Sequence, residues 1–295
     1  DIIITGSNSK MLSSELSTLI GGRYHEIYVQ SLSYQEFLLF HELEDNDDAL
    51  SKYINYGGLP GLKQVGLDDE EFVWDYIRAV FHTVMLKDIV ERNNIRNVSF
   101  LNTLLRYFAN TIGKLSSLNN ISKFMKSQGL DVSVKSIAAY LNYFRDAYLL
   151  LTVDRFDIHG KKLLESNEKI YFGDVGLRNL IAGGERQGDI EKILENIVYQ
   201  QLVRMGYAVS VGQLRAGEVD FVCTKSNERL YVQVAYLIAS EETEEREFGS
   251  LDNIKDNYPK YVISMTPLVR RSDRQGVVHL GLREFLKNGF EKKLP

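Results

Sequence analysis

Glu218-Val219-Asp220-Phe221-Val222-Cys223 reads as a strand that carries two carboxylates in an otherwise apolar run. Alternate strand residues share a face, so Glu218 and Asp220 point one way while Val219, Phe221 and Cys223 point the other. Upstream, Asp189 to Met205 places Ile190, Ile193, Leu194, Ile197, Val198 and Leu202 at helical spacing, and Gly206 stops the helix. Tyr207 to Val211 and Leu230 to Tyr236 read as further strands, Glu241 to Asn253 as a charged helix and Tyr261 to Ser264 as another strand. Helices alternating with strands predict a separate α/β domain over residues 177–295.

Residues 95–176 follow a different pattern. Phe100 to Ile112, Ile121 to Gln128 and Val134 to Phe144 read as three short helices, with Ser133 as N-cap of the third. Strand-like runs follow at Tyr148 to Asp154 and Lys169 to Phe172, and three helices before a β-ribbon outline a winged helix. The third helix offers only Lys135 and Arg145 as cations, which is little for reading bases. Residues 92 to 130, in contrast, hold Arg92, Arg96, Arg106, Lys114, Lys123 and Lys126 without an acid. That stretch offers either a face of +6 for the phosphates of duplex nucleic acid or simply a solvated basic helix face.

The whole chain has 295 residues and a formal charge of -5. The length predicts more than one domain, and the acidic balance excludes a protein that coats nucleic acid over its entire surface. The single cysteine, Cys223, cannot form an internal disulfide, which fits a reducing, cytoplasmic setting. No run approaches the apolar length of a membrane span, so no membrane partner is expected. Between the chain start and residue 94, Ile2 to Ile4 reads as a buried strand ending in a polar loop, Ser9 to Ile20 as a helix and Tyr24 to Val29 as a second strand. The acidic Glu42 to Asp48 reads as a solvated linker or cap, Tyr56-Gly57-Gly58-Leu59-Pro60-Gly61 as a loop, and Asp68 to Val90 as one long helix.

Glu195 on a helix, then Glu218 and Asp220 on a strand, resembles the way metal-dependent nucleases of the restriction-endonuclease fold arrange carboxylates around Mg²⁺. In those enzymes the next strand supplies an acid and a lysine; here Gln233-Val234-Ala235 stands in that place. An amide binds a hard cation weakly and alanine stabilises no charge, so a degraded, inactive site is expected and no metal is assigned. Lys192, three residues before Glu195 on the same helix face, is a candidate replacement cation, whereas Lys225 has the parity of Phe221 and Cys223. The histidines are scattered without ligand spacing, and no phosphate-cradling G-x-x-x-x-G-K-[ST] motif occurs.

Several motifs together resemble a bacterial and archaeal family of AAA-type P-loop ATPases that carry a C-terminal nuclease-like domain of unknown function. They are Ile2 to Ser9, Gly22-Arg23-Tyr24, Leu32 to Phe37, Tyr56 to Pro60, Lys169 to Leu177, Leu194-Glu195-Asn196 and Glu218 to Val222. The resemblance implies a multidomain α/β chain: the tail of an ATPase sheet over 1–40, a helical lid over 41–94, the winged helix over 95–176 and the restriction-endonuclease-like domain over 177–295. It implies ATP and Mg²⁺ as cofactors of an intact parent protein whose Walker A and Walker B segments lie upstream. Ser7, Asn8 and Arg23 would then sense the nucleotide, and the ATPase part or another protein would be a partner. The alternatives are a nucleic-acid-binding module or a Mg²⁺-dependent nuclease.

Overall fold

The computed structural model describes residues 3–6, 25–183, 188–215, 217–267 and 272–291. The described chain is a mixed α/β structure around one nine-stranded mixed sheet. Four helical pieces come first: α1 (Tyr34–His41), α2 (Asp47–Tyr56), α3 (Leu62–Val65) and α4 (Glu70–Thr83), the last continuing into a π-helical stretch, Val84–Glu91. Ser33 and Glu36 form a reciprocal capping box that starts α1, while Asn46 and Asp69 cap α2 and α4.

Next come α5 (Val98–Asn110), β1 (Leu115–Ser116), α6 (Leu118–Ser127), α7 (Val134–Asp146), β2 (Leu150–Asp157) and β3 (Lys162–Phe172). Asn97, Ser117 and Ser133 cap the three helices, and each helix buries one apolar stripe, Phe100, Leu104 and Phe108 among them. β1 pairs antiparallel with β3, and β3 with β2. After α8 (Val175–Ala182) and α9 (Ile190–Arg204), the antiparallel strands β4 (Ala208–Gln213), β5 (Glu218–Lys225) and β6 (Glu228–Ala235) lead to α10 (Glu241–Asp252). β7 (Lys260–Ser264) joins β6 in parallel, followed by β8 (Ser272–Arg274), β9 (Val277–Gly281) and α11 (Leu282–Asn288).

The strand order is β1-β3-β2-β4-β5-β6-β7-β9-β8, so the hairpin after the three helices is continuous with the C-terminal strands. The join is a short parallel pairing of Arg155–Asp157 with Val211–Gln213. α9 packs across one face against β4, β5 and β6, and α10 lies against β5, β6, β7 and β9. The larger core cluster holds Phe221 and Cys223, and a second one holds Val219 and Val222.

That split corrects the strict alternation expected of β5. The register shifts between Ser210 and Gly212, which leaves Asp220 and Phe221 together opposite Val211. This bulge reorients the strand, so Val219 and Phe221 enter different clusters. The opening segment differs as well. Ile3 and Ile4 are irregular and 88% and 46% exposed, and residues 25–30 form no strand. The predicted helix Ser9 to Ile20 lies outside the described residues. The acidic stretch from Glu42 to Asp48 is largely exposed and caps two helices, Glu42 ending α1 and Asn46 starting α2 at Asp47, while the half-buried Asp45 is tied down, accepting from Tyr34 and pairing with Lys287 at 2.5 Å.

Candidate functional site

The carboxylates singled out by the sequence converge on a lysine. Lys169 projects from β3 and is 1% exposed; its Nζ lies 2.6 Å from Glu195 Oε1, 2.6 Å from Glu218 Oε1 and 3.4 Å from Asp220 Oδ1. Tyr171, two residues further along β3 and hence on the same face, donates its hydroxyl to Glu195 Oε1. Lys192 reaches the other oxygen, Glu195 Oε2, at 2.5 Å. Asp220 Oδ2 accepts the backbone N–H of Val234 at 2.9 Å. Glu195 and Asp220 are buried, and Glu218, with its side chain 30% exposed, is the member that reaches solvent.

The local chain explains this placement. Asn196 clamps α9 to β3 by accepting from Phe172 N at 2.7 Å and donating to Phe172 O at 3.0 Å, which aims its neighbour Glu195 at Lys169 and Tyr171. Tyr199, one turn on, stacks on Tyr171 with ring centroids 4.9 Å apart. Gly113, in the turn after α5, closes the site from the other side: its φ is +66°, and a Cβ there would stand 3.0 Å from Lys192 Cδ and 3.4 Å from both Glu195 oxygens.

The charges are strongly coupled. Burial disfavours the Lys169 ammonium, but Glu195, Asp220 and Glu218 more than offset this and hold it protonated. Burial alone would raise Glu195, yet Lys169 and Lys192 bring it below the ordinary carboxylate range. Asp220 is pushed up to about 7, first by burial and then by the negative Glu195. Near neutral pH the site is therefore close to electrically balanced. A divalent ion does not fit these residues as they stand, because an ammonium already occupies the point where the three carboxylates meet, and no set of three or more His, Cys, Asp or Glu among the described residues is arranged to hold a metal.

Gln233 and Ala235 do not complete a catalytic set. The Gln233 amide accepts from Asp220 N at 3.2 Å and donates to Glu247 Oε2 at 3.1 Å, tying β5 and β6 to α10, while Ala235 is buried. Lys225 lies elsewhere, with its ammonium on Met205 O at 2.7 Å. Ser7, Asn8 and Arg23 lie outside the described residues. Lys169 was missed as a site residue although it opens a named strand. The available signal was a lysine and a tyrosine alternating with apolar residues in Lys169-Ile170-Tyr171-Phe172, the pattern of a buried polar face.

The remaining motifs form a joint. Asp174 caps α8 through Gly176 N at 2.8 Å and Leu177 N at 3.2 Å, and also accepts from Gly58 N at 2.9 Å. A Cβ on Gly57 would come within 2.2 Å of Asp174 Oδ1, and one on Gly176 within 2.0 Å of Tyr56 O, so close backbone approach accounts for both glycines. No described helix is long and apolar enough to cross a membrane.

A family model described as a domain of unknown function, DUF8612, matches residues 47–188. An uncharacterised protein of Haemophilus influenzae is 37% identical over 268 residues, covering 90% of this chain and 65% of the relative. An uncharacterised protein of Methanocaldococcus jannaschii is 30% identical over 273 residues, covering 87% of this chain and 60% of the relative. The chain thus spans less than two thirds of the length of either relative. The crystal structure of protein VC1899 from Vibrio cholerae matches 74% of this chain and 58% of its own at 11% identity, with a TM-score of 0.24. These comparisons correct the P-loop ATPase resemblance: the matching model describes a domain of unknown function, both relatives are uncharacterised, and none of them points to an ATPase.

Proposed function

We propose that this chain binds duplex nucleic acid without cleaving it. The observation that carries the reading is the set of cations from 92 to 130: Arg92, Arg96, Arg106, Lys114, Lys123 and Lys126 are all exposed, and among the described residues only Lys126 has an ion-pair partner, Asp131 at 3.3 Å. Charge asymmetry supports it, since residues 92–162 hold eleven Lys and Arg against four Asp in a chain whose net charge is -5. The order α5-β1-α6-α7-β2-β3, with β1 on β3, supports a winged helix over 95–176. The run α9-β4-β5-β6-α10-β7, with its carboxylates on α9 and β5, supports a restriction-endonuclease-like domain over 177–295. Lys169 in the middle of those carboxylates supports binding over cleavage, because a scissile phosphate and its metal would need the position the ammonium holds.

Six phosphate contacts would give a salt slope of about -5 in log K against log salt, or roughly a thousandfold loss of affinity between 50 and 200 mM salt. Fluorescence anisotropy with a labelled duplex measures this directly, and Arg96→Glu combined with Lys123→Glu should weaken binding and flatten the slope. An absent signal at low salt, or one that salt does not change, rejects the reading. Plasmid incubated with Mg²⁺ should stay supercoiled; nicking that Asp220→Ala abolishes would favour a nuclease instead.

A further inference from the structure

A groove of about 460 Å³ lies between α6, α7 and β3, within the roughly 300–1,000 Å³ typical of ligand sites. Its polar lining includes, besides Ser116 and Ser117, Asn119 on α6, Asn142 and Arg145 on α7, and Asn167 and Glu168 on β3, over an apolar floor that includes Ile170. The side chains of Asn119, Asn142, Arg145 and Asn167 make no hydrogen bond to another described residue. β3 is distorted here: Val153 pairs with Lys169 and Arg155 with Leu164, so residues 165–168 bulge opposite Asp154 alone. Asn167 takes a left-handed backbone, φ 61°, within that bulge. Bulges of this kind re-aim side chains next to binding sites, and this one turns Asn167 and Glu168 into the groove.

Charge decides what the groove accepts. Arg145 faces Glu168, and Asp154 lies beside it, so the groove is locally neutral or slightly acidic and disfavours a phosphate. Burial, and Asp154 beside it, raise the Glu168 carboxyl above the ordinary carboxylate range. Cations stand around the groove instead: Lys114 just before β1, and Lys123 one helical turn from Asn119 on α6. A neutral slot of amides over an aliphatic floor, set within a basic surround, has the chemistry of a site for a flat base whose phosphates are held outside. We propose that this groove receives an unpaired nucleobase of the bound nucleic acid. The inference rests on the nucleic-acid reading above and names what the winged-helix region recognises.

The test compares the full chain's affinity for a paired duplex with that for the same duplex bearing a single-nucleotide bulge, in a series of the four bases with 2-aminopurine as the reporting base. At least one bulged duplex should bind ten times more tightly or better, with a change in 2-aminopurine fluorescence on binding. Asn142→Ala and Glu168→Gln, both at partly or fully exposed positions, should each bring that preference below twofold while leaving paired-duplex affinity and its salt slope unchanged. Equal affinity of the unaltered chain for paired and all bulged duplexes overturns the inference, as does a preference that survives both substitutions. Absence of binding to any duplex at low salt overturns the nucleic-acid reading itself, and this inference with it.

Discussion

Replacing Lys169 by methionine keeps most of the side-chain volume and removes one charge from a position that is 1% exposed. Glu195 would keep Lys192 at 2.5 Å, but Asp220 would lose its cation and Glu218 its contact at 2.6 Å. Removing one partner from a buried ion pair costs about 3–5 kcal/mol, because the charge left behind stays desolvated. At roughly 2–4 °C per kcal/mol for a chain of this size class, the expected drop in Tm at pH 8 is about 6–20 °C. The loss should shrink towards pH 5, where Asp220 and Glu195, freed of the ammonium, can take up protons instead. Thermal unfolding followed by circular dichroism at both pH values measures it, and the triple change Lys169→Met, Glu195→Gln, Asp220→Asn should recover most of the stability, since it removes the three buried charges together and leaves only Lys192 and Glu218, which both reach solvent. A Lys169→Met protein within about 1 kcal/mol of the original at pH 8, with no dependence on pH, would refute the view that this lysine balances the carboxylates.

Three further outcomes follow from the same geometry. The Asp220 carboxyl, pushed up to about 7, holds a proton in the folded chain that the unfolded chain releases near 4; stability from this group is full below that lower value and falls as pH rises to about 7, by about 4 kcal/mol in all. Asp220→Asn should flatten urea-unfolding free energies between pH 4.5 and 7, while Glu195, whose carboxyl is lowered, produces the opposite slope below that window. Gly113→Ala should cost about 1–2 kcal/mol in the same assay, because its φ of +66° strains any side chain and its Cβ would press on Lys192. Asp174→Ala should cost about 2–3 kcal/mol, since the α8 cap is lost and the Gly58 N–H is left without its acceptor; a change below about 0.5 kcal/mol would mean that water replaces the carboxylate.

Local signals in the sequence located the three helices from 98 to 146 to within a few residues, since each combines an apolar stripe with a Ser or Asn cap. The strands around Asp220 were legible from short runs rich in β-branched and aromatic residues. What was not legible was long-range: Lys169 lies 26 residues from Glu195 and 51 from Asp220, and nothing in a short window says that a strand lysine will meet acids from later elements. The β5 bulge escaped because it depends on the register against β4, which no single strand encodes. α8 has a weak local signature, since Gly173 and Gly176 disfavour a helix while Asp174, two residues before Gly176, is a helix-start signal.

The short join of β2 to β4 has a practical result for anyone dividing this protein. A cut at residue 176 would strand Arg155–Asp157 without the backbone partners at Val211–Gln213, and would leave Lys169 on one piece and its counter-charges on the other. Neither piece would then keep an electrically quiet interior, and both would present a raw sheet border prone to self-association. Expressed apart, the two halves should aggregate; mixed, they should find each other again, as complementing fragments do.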